Sequence, residues 1–148
     1  MAIWQVPYQQ GELKAIGFDA KGKAIQSSIL ATAAAPVKIK LTADKKLINA
    51  NNQDLSYITV ELLDAKNNRH PLAENLIKFK VEGDATIVGI GNANPVSVES
   101  YQASQRKAWQ GRCLVILKAG KNGGQVNLTA ETEGIPSASI SIQIENKQ

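Results

Sequence analysis

The acidic residues placed on or near strand-like runs are Glu61, Glu82, Glu99 and Glu131. Two carboxylates held about 5 Å apart in a cleft can divide the roles of acid and nucleophile between them. Glu61, Glu82 and Glu131 alternate with apolar neighbours, so they belong to polar strand faces where a carboxylate is simply solvated. Glu99 stands apart, within Ser97-Val-Glu-Ser-Tyr101. No catalytic residue is assigned on this basis. His70 is the single histidine and precedes Pro71 in a loop, without the partners that a triad or a zinc site would need. Asp44, Asp54 and Asp64 lie a strand length apart and lack the spacing of a calcium loop. Neither a metal nor a cofactor is expected. Gly89-Ile-Gly91 opens like a dinucleotide fingerprint, but Asn94 occupies the third glycine position, Pro95 follows, and no helix pattern comes next. Those glycines are expected to allow a tight approach at a strand end, and Asn92 and Asn94 to close Asx turns.

Stacking on a sugar or on another protein surface would need exposed rings, and the candidates are Trp4, Tyr8, Tyr57, Tyr101 and Trp109. They are scattered, as ordinary sandwich packing would leave them. Trp109 is the exception, between Arg106-Lys107 and Gly111 at a strand junction. Asn92, Asn94, Tyr101, Arg106 and Trp109 are therefore the candidates for contact with a glycan or with another domain. Asn127-Leu-Thr129 has the form of a glycosylation acceptor but falls in a strand.

These residues sit on elements with strand periodicity. Val37, Ile39 and Leu41 alternate with polar residues, as do Ile77, Phe79 and Val81, Val126 and Leu128, and Ile140, Ile142 and Ile144. Asp64-Ala-Lys-Asn-Asn68, Gly120-Lys-Asn-Gly-Gly124 and Glu133-Gly-Ile-Pro136 punctuate the runs with turn residues. Seven or more short strands at this spacing predict an all-β fold, an immunoglobulin-like antiparallel sandwich without the Cys, Trp and Cys pattern of antibodies. Ile58, Val60, Phe79, Val81, Val115, Leu128 and Ile142 are the expected core.

The 148 residues suffice for a full core, since a domain of this size buries about 70% of its unfolded surface. Cys113 lies in an apolar run and is read as a small buried hydrophobe. The 17 basic residues exceed the 13 acidic ones but do not form a block, which argues against nucleic acid as a partner. No apolar run is long enough to span a bilayer, so no membrane partner is expected.

The stretch Val88 to Leu117 follows a pattern of G-x-G-N-x-[DN]-P, a Ser, Glu and aromatic cluster, and Arg-x-Ala-aromatic-x-Gly before an apolar strand. Its members are Gly89, Gly91, Asn92, Asn94 and Pro95, then Ser97, Glu99, Ser100 and Tyr101, then Arg106, Ala108, Trp109 and Gly111. This resembles the far C-terminal region of bacterial glycoside hydrolase family 2 β-galactosidases. Trp4-Gln-Val-Pro-Tyr8 with Gly11-Glu-Leu-Lys-Ala15, and Ile39-Lys-Leu-Thr-Ala-Asp44 with Asp54-Leu-Ser56, extend the resemblance over nearly the whole chain. It implies a non-catalytic accessory module, because the catalytic carboxylates of such enzymes belong to a barrel with no counterpart here. The other domains of that hydrolase are the expected partners, with weak binding of a galactoside or glycan at most. A carbohydrate-binding module and an invasin-like or adhesin-like spacer are the alternatives.

Residues 11–18 and 23–32 read as a hairpin around Asp19-Ala-Lys-Gly22, followed by the linker Ala33-Ala-Ala-Pro36. The resemblance makes residues 1–35 the terminal strands of a preceding sandwich plus linker, and 36–148 the immunoglobulin-like module. The alternative is that the hairpin supplies edge strands to the same sandwich. Its Ile16, Phe18, Ile25 and Ile29 are expected to dock on the module or to pair with a second copy. A targeting signal would lie outside this sequence, in a periplasmic or secreted parent.

Overall fold

In the computed structural model, residues 3–146 are described and divide into two compact units, with the boundary between Ala33 and Ala34. The first holds a hairpin of β1 (Glu12–Phe18) and β2 (Ala24–Ala31), which make a two-stranded sheet of their own. Asp19 shapes its turn: the carboxylate accepts the Lys21 and Lys23 amides, each at 2.9 Å, while Gly22 takes the positive φ of 78°. Thr32 closes the open end, its amide donating to the Gly11 carbonyl at 2.8 Å.

The second unit is an immunoglobulin-like sandwich. Its strands are β3 (Lys38–Ala43), β4 (Leu47–Asn49), β5 (Leu55–Leu63), β6 (Leu76–Glu82), β7 (Ala85–Gly91), β8 (Gln105–Lys107), β9 (Arg112–Ala119), β10 (Gly124–Thr132) and β11 (Ile135–Glu145). One sheet runs β4-β11-β10-β6-β8 and the other β3-β5-β9-β7. All pairs are antiparallel except β11 with β4. Alternation sets which side chains enter the core: Ile58, Val60 and Leu62 from β5 and Cys113, Val115 and Leu117 from β9 join Ile77, Phe79, Val126, Leu128, Ile142 and Ile144 from the facing sheet. Val81 departs from expectation. It is only half-buried and packs at the margin of the core.

The last hairpin is also tighter than its composition implies. Glu133 and Gly134 alone turn the chain, with Gly134 at a φ of 74°, and Ile135 and Pro136 already belong to β11. β11 pairs with β4 only over Gln143 to Glu145, so Pro136 lies where β11 has a free edge and no donor is needed.

Aspartates hold the loop ends. Asp54 accepts the Asn49 amide at 3.0 Å, the Asn49 side chain at 2.8 Å, the Leu55 amide at 3.0 Å and Lys45 Nζ at 3.3 Å. Asp64, 2% exposed, accepts the amides of Ala34, Lys66 and Asn68 and so ties the start of this unit to the β5–β6 turn. Asp44 accepts the Lys45 and Tyr57 amides, each at 2.7 Å. Their strand-length spacing follows from this work at successive strand ends.

Candidate functional site

The candidates gather around Arg106, the middle residue of β8. Alternation turns its neighbours Gln105 and Lys107 outward and Arg106 inward, where its side chain is 0% exposed. A buried guanidinium is tolerated only when its donors are matched. Arg106 Nη1 donates to the Glu99 carbonyl at 2.8 Å and Nη2 to Asn92 Oδ1 at 3.1 Å. Its Nε lies 3.7 Å from Glu99 Oε2, an ion pair without a hydrogen bond. The guanidinium carbon sits 4.8 Å from the centre of the Tyr101 ring, within cation–π range.

The loop of residues 92–104 between β7 and β8 is thus wrapped around one cation. Asn92 Oδ1 also accepts the Asn94 amide at 3.2 Å, and Asn92 Nδ2 donates to the Lys107 carbonyl at 2.8 Å. Asn94 Oδ1 accepts the Val96 amide at 3.1 Å. Both asparagines close Asx-type turns, and their side-chain oxygens are occupied within the loop. Glu99 accepts Ser97 Oγ at 3.2 Å on one oxygen and the Lys107 amide at 3.0 Å on the other. The Ile90 amide donates to the Tyr101 carbonyl at 2.7 Å, which joins the loop to the end of edge strand β7.

The structure therefore brings Asn92, Asn94, Tyr101 and Arg106 together but divides their roles. Tyr101 presents a ring that is 60% exposed, whereas Arg106 is sealed beneath it and offers no donor to a ligand. The expectation that Arg106 makes a surface contact is corrected accordingly. Glu99 holds this network together.

Trp109 lies beyond β8, at the entry to a two-residue turn. It pairs with Arg112, its amide donating to the Arg112 carbonyl at 2.8 Å, and the central residues Gln110 and Gly111 have φ of 51° and 74°. Positive φ at both is the type I′ pattern that suits the twist of a hairpin. A Cβ on Gly111 would collide with the His70 carbonyl, so this glycine makes the close approach. Gly89 and Gly91 do not: an added Cβ would meet only Ile116 at 3.5 Å or Tyr101 at 3.8 Å, ordinary contacts. Trp109 itself is half-buried.

Elsewhere, a shallow hollow of about 520 Å³ is lined by Asn75, Leu76, Lys78, Glu131, Thr132 and Glu133. Glu131 and Glu133 are both open to solvent there. Glu61 pairs with Arg112 at 3.1 Å and Glu82 with Lys80 at 2.7 Å, both at the surface. Among the described residues no group of three His, Cys, Asp or Glu side chains could hold a metal ion. Burial pushes the Cys113 thiol up to about 12, so it is not a ready nucleophile. Asn127 lies within β10 and its Oδ1 accepts Ser141 Oγ at 2.6 Å.

Comparison with known proteins decides the family. Residues 39–141 match the family described as Glycoside hydrolase family 2 C-terminal domain 5. The chain belongs to this family. It is similar to Beta-galactosidase BoGH2A of Bacteroides ovatus, 39% identical over 142 residues, which are 96% of this chain and 17% of that protein. A family 2 glycosyl hydrolase structure from Bacteroides cellulosilyticus superposes with a TM-score of 0.91 at 46% identity, over 97% of this chain and 18% of the other. A β-glycosidase from Bacteroides vulgatus gives 0.88 at 27% identity, over 96% and 18%. The chain thus spans under a fifth of the length of these relatives. The Arg106-centred loop lies inside the matched region of this family 2 domain.

Proposed function

We propose that the chain acts as a non-catalytic accessory domain of a larger family 2 hydrolase that cleaves β-galactosides, packing beside the catalytic barrel. The observation that carries this reading is the match of residues 39–141 to a family 2 C-terminal domain, in a chain whose aligned residues cover only 17% of a β-galactosidase. The geometry supports it, because Glu99, the carboxylate in the matched cluster, is occupied by Ser97, Lys107 and Arg106. Retaining hydrolysis needs two carboxylates facing each other across a cleft. In this reading residues 1–35 are the last strands of a preceding sandwich together with a linker.

The test is an assay of the purified chain on a chromogenic β-galactoside, which is expected to show no turnover above buffer. Turnover that co-purifies with the chain and vanishes in Glu99→Gln would overturn the reading. The exposed Tyr101 ring and half-buried Trp109 favour a carbohydrate-binding module as the second reading. Against it stands the internal use of both Asn92 and Asn94. Titration with galactose and lactose should show no saturation below roughly millimolar, an affinity of about 4 kcal/mol. A micromolar constant abolished by Trp109→Ala would promote the second reading.

A further inference from the structure

Val96, Val98 and Tyr101 lie within six residues of one loop and are 79%, 99% and 60% exposed. Exposed apolar side chains carried close together on one loop can form a surface for contact. The loop that carries them is held in one shape from within: Arg106 grips the Glu99 carbonyl and Asn92, Asn94 caps Val96, and Glu99 receives Lys107. Asn92, Asn94, Ser97 and Glu99 are half-buried and spend their polar atoms within this network, so Val96, Val98 and Tyr101 project from it, beside the exposed Ser100, Gln102 and Ser104. Fixing a loop in its bound shape before contact lowers the entropy lost on association.

We propose that the loop of residues 92–104 is a docking element, received through Val96, Val98 and Tyr101 by an apolar protein surface on another domain of the hydrolase that carries this chain, with Arg106 as its positioning residue. The choice of occupant rests on the accessory-domain reading above. The chain matches only 17% and 18% of the hydrolases it resembles, so in a protein built like them more than four-fifths of the molecule is covalently tethered nearby. Tethering gives that surface an effective concentration that a free partner seldom reaches. A sugar is the poorer occupant, because the loop's two asparagine oxygens already accept Arg106 and backbone amides. Valines have nothing to offer a hydroxyl.

Amide exchange, compared between the 148-residue chain and the full-length hydrolase, tests this directly. Residues 92–104 are expected to exchange roughly tenfold or more slowly in the full-length protein. In Val96→Ser with Val98→Ser that protection should vanish, while the thermal midpoint of the 148-residue chain stays unchanged because both side chains are exposed. Protection confined to another surface of the domain would overturn the docking proposal and leave the accessory reading standing. Equal exchange everywhere in the two proteins would overturn both. A lowered midpoint for the double variant in the 148-residue chain would show that the valines serve the domain's own fold, and would overturn the proposal as well.

Discussion

At the scale of single residues, the sandwich relies on a few polar side chains that each hold several backbone groups. Arg106 is the extreme case, a charge with no exposure matched by one carbonyl, one amide oxygen, one carboxylate and one ring. Arg106→Ala should cost about 3 kcal/mol, the low end for a broken buried pair, since Glu99 keeps access to water. Denaturant unfolding measures this, and a loss below about 1 kcal/mol would mean that the network does not hold the loop. Asp54 makes a prediction in pH. Hydrogen bonds from the Asn49 amide and side chain, aided by Lys45 and the Leu55 amide, bring its carboxyl from 3.8 down to about 2 against the opposing effect of burial. A carboxyl depressed in the folded state stabilises above its unfolded value, and that contribution is lost as pH falls through the folded one. Thermal midpoints should therefore fall as pH drops from about 4 towards 2, and Asp54→Asn should flatten this decline while lowering the plateau. An identical slope in the variant would show that Asp54 is not the group responsible.

At the scale of elements, the hairpin and the sandwich differ in what they bury. Leu13, Ile16, Phe18, Ile25, Ile29 and Leu30 are between 44% and 71% exposed. Opposed residues of a ladder share a face. Leu13 and Leu30 face one way and Lys14 and Ile29 the other, so apolar side chains stand on both sides of the ribbon. A lone two-stranded hairpin is marginal in water. Its open edges and apolar faces should drive association. The full chain is expected to gain mass with concentration in light scattering, and a chain beginning at Pro36 to remain monomeric. A full chain that stays monomeric while the hairpin amides exchange freely would exclude pairing and docking alike. The sandwich guards its own edges differently. Edge strand β3 carries Lys38 and Lys40, and edge strand β7 has a bulge between Ile87 and Gly89 and the Tyr101 carbonyl on its Ile90 amide.

At the scale of the whole molecule, the described core belongs to the sandwich, and its cohesion can be tested where both sheets meet. Phe79 is 7% exposed on β6, between β10 and β8. Phe79→Ala should cost about 3 to 5 kcal/mol by chemical denaturation, and a loss under about 1 kcal/mol would place the side chain outside the core. Much of this architecture was legible in the order of residues. Alternation at Ile58, Val60 and Leu62 or at Val126 and Leu128 states which side chains face inward, because a strand repeats every two residues whatever surrounds it. The turns at Asp19 to Gly22 and at Asn92 to Asn94 were legible too, since short polar side chains bond their own backbone. Other features depended on neighbours remote in sequence. Val81 stays half-buried because it stands near the sheet margin, and Gly111, not Gly89 or Gly91, bears the close approach because the His70 carbonyl lies against it. The fate of Arg106 is the clearest division. Its place among motif residues marked it as notable, but three-residue β8 pairs with Leu76 to Lys78 only across the assembled sheet, and that pairing turns the guanidinium inward. Sequence by itself determined the strand pattern, the turns and the family. Tertiary structure alone decided that the charge lies beneath the loop and the valines outside it, because burial depends on what distant strands place overhead.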